Sequence, residues 1–223
     1  MTRELVFSSL RAFTIASLSL FAVLLDDTRN ARCQNQPIGT RIKTVPSWIW
    51  ASDSEAPSIF GRKTFEVEGD VKQAFLVASA DNECDLFLNE RKVLTSKEWG
   101  EVALADVQKQ IRSGKNSLSF SARNEGGPAG VYALLILLMK DGQMLEIASD
   151  STWKLSKQAR GDWKSSRFND SDWEDAKVIG VLGAPGLPWS QSNTRETLAA
   201  AFGSSQQGEF TPELATIAKV PEG

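Results

Sequence analysis

From Ser47 onward apolar residues recur at every second position, in short runs closed by turn residues. That period belongs to strands half-buried in a sheet rather than to helices. Arg62–Val67 alternates with Lys63, Phe65 and Val67 on one face, and Gly69-Asp70 closes it. Gln73–Ala80 alternates through Phe75, Val77 and Ser79 against Ala74, Leu76 and Ala78. Asp81-Asn82 marks a turn into Cys84–Leu88, and Asn89-Glu90 is a two-residue hairpin connection into Lys92–Leu94. Ser117–Ala122 places Leu118 and Phe120 on one face and serines on the other. Val131–Met139 is almost wholly apolar, which fits a central strand covered on both faces or one curving between sheets. Gln143–Ala148, Thr152–Leu155 and Lys177–Val181 complete the strands.

Helix signals are few. Asp106 caps a turn or two ending near Gly114, and Ser171-Asp172-Trp173-Glu174 reads as a capping box for one turn through Ala176. Asn193 to Glu196 caps a better helix, Thr194 to Phe202, which Gly203 stops. Short strands at about ten-residue spacing with so few helices predict an antiparallel sandwich or barrel.

Lys and Arg number 25 against 28 Asp and Glu, a net charge of −3, which argues against a nucleic-acid partner. There is no histidine, so triads, Cys–His pairs and His-ligated zinc are excluded. No GxSxG, P-loop or GxGxxG is present. No carboxylate pair stands out at strand ends, so no catalytic residue is assigned and the chain reads as a non-enzyme. Seven tryptophans in a chain of 223 residues need an explanation.

The first residues read as an address. Arg3 and Arg11 flank the apolar stretch Ala12–Leu25, too short to span a bilayer comfortably. Residues 1–32 are therefore either an export signal, cleaved near Ala31, or an uncleaved anchor, which would be the chain's one route to a membrane. Asn30-Ala31-Arg32 before Cys33 is not a lipobox. Cys84 is expected buried and unpaired, with a bond to Cys33 open in an oxidising compartment. The expected order is signal (1–32), linker (33–44), sandwich (45–190), short helix (191–203) and linker (204–223).

A series of segments carries a resemblance. It begins with Pro46-Ser47-Trp48-Ile49-Trp50, Arg62-Lys63-Thr64-Phe65 and Ala80-Asp81-Asn82-Glu83. Asp85 to Val93, Gly114-Lys115-Asn116-Ser117-Leu118 and Arg123 to Gly130 follow. Ser149 to Lys154 and Asp170-Ser171-Asp172-Trp173 end it. In this order they resemble the galactose-binding-like jelly-roll domains, accessory β-sandwiches of bacterial rhamnosidases and β-galactosidases. The version that looks most similar is the front module of large exported bacterial proteins that continue into a β-propeller and a cytochrome-c-like haem domain. Glu90 departs from the usual Asn-Gly turn, and Cys84 takes the place of an aromatic. The resemblance implies an all-β, antiparallel two-sheet jelly roll and an exported carbohydrate-binding or interaction module. Its alternative is a purely structural domain that positions a downstream enzyme.

Trp48, Trp50, Trp153 and Trp173 flank strands or turns and are expected to plug the sandwich, each burying roughly 150–250 Å². Trp99 and Trp163 sit in polar loops, where an exposed indole can cover a sugar ring while carboxylates and amides take its hydroxyls. Trp189 resembles a position that packs at the end of the domain. The candidate ligand residues are Trp99, Trp163, Asp81 and Asn124. The resemblance also allows a calcium ion, for which Asp81 and Asp150 are the candidate ligands, with Asn82 and Glu83 beside them. The expected partner is a glycan or a neighbouring protein domain. Asn169-Asp170-Ser171 matches a glycosylation acceptor.

Overall fold

The computed structural model describes residues 38–189 and 193–206. The expected signal segment, Cys33 and most of the tail beyond the last helix lie outside them. Two antiparallel sheets face each other. One has the order β12-β1-β8-β3-β6, and β9 also pairs with β8. Its strands are β1 (Ser47–Trp50), β3 (Val71–Asp81), β6 (Ala103–Asp106), β8 (Gly130–Met139), β9 (Met144–Ala148) and β12 (Lys177–Val181). The other has the order β11-β10-β2-β7-β4-β5. It is built from β2 (Ser58–Val67), β4 (Glu83–Leu88), β5 (Arg91–Ser96), β7 (Gly114–Arg123), β10 (Lys154–Ser156) and β11 (Glu174–Asp175). This is the expected two-sheet jelly-roll sandwich.

Alternation sorts the residues. Ala74, Leu76, Ala78 and Ala80 of β3, with Val131, Ala133, Leu135 and Leu137 of β8, meet Leu86 and Leu88 of β4 and Leu118 and Phe120 of β7 in the core between the sheets. Gly61 is required there. A Cβ on it would lie 2.3 Å from the Phe120 ring and 2.8 Å from Leu155, so the aromatic fills the space that a side chain would have taken.

The other face of the first sheet is also buried, which explains why β8 shows no alternation. Phe75, Val77, Leu134, Ile136 and Leu138 point away from the core and are covered by Leu198, Ala201 and Phe202 of the helix Thr194–Gln206. Phe75 and Phe202 meet edge to face at 4.8 Å. A single turn, Ile38–Arg41, precedes Ile42 in the same cluster. The helix runs through Gly203 rather than stopping there. Gly203 is exposed, and glycine inside a helix costs only about 1 kcal/mol relative to alanine.

The Ser171–Glu174 capping box does not form a helical turn. Trp173 N–H donates to the Asp170 carbonyl in a simple turn, and Glu174–Asp175 pairs with β10 instead. The free backbone edge of β10 offers those two residues ladder bonds that an isolated turn could not. Asp106 does accept from Gln108 N–H at the start of a short 3-10 turn, Gln108–Gln110. Asn89 and Glu90 both have positive φ, 49° and 76°, as the two-residue hairpin requires.

Candidate functional site

Register gathers the site loops at one end of the sandwich. Ser58 and Glu83 both pair with Arg123, and Asp81 pairs with Gly130. The connections 51–57, 97–102 and 124–129 and the single linking residue Asn82 therefore emerge together. Side chains and backbone tie them down. Asn124 N–H donates to the Pro57 carbonyl (2.9 Å) and Asn82 N–H to the Arg123 carbonyl (3.0 Å). Ser79 Oγ donates to the carbonyls of Glu98 and Trp99 at 3.2 and 3.0 Å.

Two amides are oriented at this end. Asn82 Oδ1 accepts from Glu125 N–H (2.7 Å), and Asn124 Oδ1 accepts from Gly126 N–H (3.1 Å). Fixing the carbonyl oxygen fixes the plane of each amide and hence the direction of its NH₂ donors. Asp81 is 8% exposed, and its Oδ2 accepts from Trp189 Nε1 at 2.9 Å. Trp189 stacks on Trp48 at 4.4 Å, and Trp48 meets Tyr132 edge to face at 4.8 Å. Gly130 lies under this stack, where a Cβ would come within 2.8 Å of the Trp189 ring. The aromatic stack thus holds the buried Asp81 carboxylate at the end of β3. Trp189 packs at the end of the domain as expected.

Trp99 is 42% exposed, on the loop between β5 and β6. Trp163 is the correction. It is 7% exposed and has no free face for a ligand. Its ring meets Phe60 and Phe87 edge to face, at 5.3 and 5.9 Å, and lies 6.0 Å from Trp173. Its polar sequence neighbours concealed this. The missed signal was Phe60 and Phe87, apolar residues at outward positions of β2 and β4, which need a cover. Arg62 locks that cover in place. Fully buried, it donates from Nε to the Trp163 carbonyl (3.0 Å), from Nη2 to the Ser165 carbonyl (2.8 Å) and from Nη1 to Asp170. Its guanidinium lies 5.4 Å from the centre of the Phe168 ring. Burial pulls the guanidinium below its ordinary pKa.

Asp81 and Asp150 are engaged by different partners. Asp81 pairs with Gly130 and accepts from Trp189. Asp150 instead accepts from Thr152 N–H (2.8 Å) and the Thr152 hydroxyl, closing its own turn. Glu83 pairs with Arg123 at 3.1 Å. Among the described residues no three acidic, cysteine or histidine side chains gather where they could hold a metal ion.

Several carboxylates have partners that keep them ionised. A hydrogen bond from Lys157, helped by Glu55 N–H, holds Asp53 below its usual range, and one from Lys140 does the same for Asp70. At Asp85 partial burial pulls upward, but hydrogen bonds from Lys92 and Thr95 outweigh it and the net shift is down. Cys84 is free and buried, and burial pushes its thiol well up.

No family model matches the chain. It is 33% identical over 159 residues to an α-L-rhamnosidase of Streptomyces avermitilis, a match covering 65% of this chain and 15% of that protein. The chain thus corresponds to about a seventh of the curated relative's length. The crystal structure of that enzyme complexed with L-rhamnose superposes with a TM-score of 0.60. A lectin from Pleurotus ostreatus matches at 26% identity and a TM-score of 0.60, covering 67% of this chain and 45% of the lectin. The same lectin in complex with GalNAc matches at 27% and 0.59, covering 65% and 44%. These neighbours agree with a galactose-binding-like accessory sandwich.

Proposed function

We propose that the sandwich is a non-catalytic, glycan-binding accessory module of a larger exported protein, and that it binds through the loop end. The observation that carries this reading is the likeness, at 26–27% identity, to a lectin solved with GalNAc. The match to a small share of a rhamnosidase supports the accessory role. The loop end presents the oriented, half-buried amide of Asn82 and the exposed indole of Trp99, with the buried Asp81 and Asn124 holding the loops behind them.

Affinity electrophoresis through a panel of polysaccharides tests the reading. Retention by at least one, weakened by Asn82→Ala and Trp99→Ala, is the expected result, and no retention by any of them refutes it. Export is tested separately, by the N-terminal sequence of the protein recovered from the cell envelope. The resemblance to proteins with a propeller and a haem domain is tested by reading the gene beyond the codon for Gly223.

The structural alternative is favoured by one observation, the burial of Trp163 where an exposed platform was expected. It prevails if no glycan is retained and the loop variants disturb assembly of the parent protein.

A further inference from the structure

A cleft of about 450 Å³ opens at the β10–β11 edge of the second sheet; it shares loop 51–57 with the loop end, through Ala51, but its lining includes none of Asp81, Asn82, Trp99 and Asn124. Its apolar lining comes from Ala51, Leu155, Phe168 and Trp173. Phe168 and Trp173 meet edge to face at 5.7 Å, and Trp173 also lies against Trp163. The aromatic wall is therefore continuous with the packed layer that Arg62 locks to the sheet. Loop 51–57 is fastened across one side by Asp53–Lys157 (2.7 Å) and by Ser52 Oγ donating to Glu174 (2.8 Å).

The remaining polar lining is less committed. Arg160 bonds to the Gln158 side-chain oxygen at 3.1 Å, and Asp172 accepts from Ser171 Oγ at 3.4 Å. Neither takes part in an ion pair with another described residue. The cleft thus presents an aromatic wall, the Arg160 guanidinium and the Asp172 carboxylate, while Lys157 of its lining is paired with Asp53 and Glu174 accepts from Ser52. A carboxylate can accept from two vicinal hydroxyls, a guanidinium can donate to hydroxyl or ring oxygens, and an aromatic face covers the C–H side of a pyranose. Pockets of this volume hold small ligands. An acidic sugar would meet two lining carboxylates, Asp172 and Glu174, against the single guanidinium of Arg160, since Lys157 is paired with Asp53.

We infer that this cleft is a second binding site, built from other side chains than Asp81, Asn82, Trp99 and Asn124, and that it takes a neutral sugar residue. The inference rests on the reading of the domain as glycan-binding. Arg160 and Asp172 orient the ring over the half-buried Phe168, with Trp173 packed behind it.

The test is titration calorimetry of the full chain with L-rhamnose, D-galactose and N-acetylgalactosamine, against D-glucuronic acid and sialic acid. Arg160→Ala, Asp172→Asn, Asn82→Ala and Trp99→Ala are compared, each first shown to melt with the parent. Support is binding of a neutral sugar that Arg160→Ala and Asp172→Asn each weaken by about five- to tenfold, with a component that survives Asn82→Ala and Trp99→Ala. A shift of the Trp173 indole resonance on adding that sugar is the second expected sign. Sugar binding lost with Asn82→Ala or Trp99→Ala but indifferent to Arg160→Ala and Asp172→Asn overturns this inference and leaves the proposed function standing. Tighter binding of the acidic sugars also overturns it. Binding of no saccharide at all refutes both.

Discussion

Arg62 donates to two backbone carbonyls and a carboxylate from a position without solvent contact. Its loss would strand the carbonyls of Trp163 and Ser165 and leave Asp170 without its partner. The Asp170 side chain is 28% exposed, so the main cost is the two stranded carbonyls, about 1–3 kcal/mol each. Arg62→Met is expected to lower stability by about 2–4 kcal/mol, read as a fall in the urea midpoint at unchanged slope. Arg62→Lys keeps the charge but has no planar fork to span three acceptors, so it should recover only part of the loss. Nothing around Arg62 in the sequence announces this. It sits in a run that alternates like any strand, and its acceptors lie more than 100 positions away. Trp163 was misread for the same reason: a locally polar loop closes over a sheet face that only the strand register defines.

At the scale of elements, turns and alternation were readable because they are local. The Asn89-Glu90 hairpin is one case, and it carries a residue ill suited to its place. Glu90 has φ 76°, in the left-handed region, which costs a non-glycine residue about 1–2 kcal/mol. Glycine removes that strain but adds freedom to the unfolded chain, about 0.4–1 kcal/mol. Glu90→Gly is therefore expected to stabilise the domain by about 0.5–1 kcal/mol, measurable by chemical denaturation. The helix Thr194–Gln206 is the opposite case. Its start was readable from the cap, but its role was not, because the outward residues of β3 and β8 that it covers lie far away in sequence. Phe202→Ala should cost about 3–5 kcal/mol and expose Phe75 and its neighbours. Increased dye binding and a lowered melting temperature would show this, and an unchanged melting temperature would mean the helix is not part of the stable unit.

For the molecule as a whole, the absence of histidine has a plain consequence. No side chain of ordinary pKa changes charge between about pH 5 and 8. Asp53, Asp70 and Asp85 have folded values below their unfolded ones, so what they contribute is present above about pH 4 and lost as pH falls through the lower folded values. Lys157 is shifted up, chiefly by its hydrogen bond to Asp53, so its contribution is present below about pH 10 and lost as pH rises beyond its folded value. These groups are exposed or nearly so, and each effect is small. The melting temperature should stay flat from about pH 5.5 to 8 and decline on the acid side; a step near pH 6.5 would contradict this. The residue order alone fixed the β-class, the place of most strands and the hairpin, since period and turn chemistry act between near neighbours. It did not separate the exposed Trp99 from the buried Trp163, and the packing of Trp189 came from the family resemblance. Three-dimensional folding settled which aromatics remain at the surface, what covers the far side of each sheet, and which partners Asp81 and Asp150 take. These depend on pairings between distant strands, and a shift of one residue in any pairing would turn every side chain of that strand to the other face.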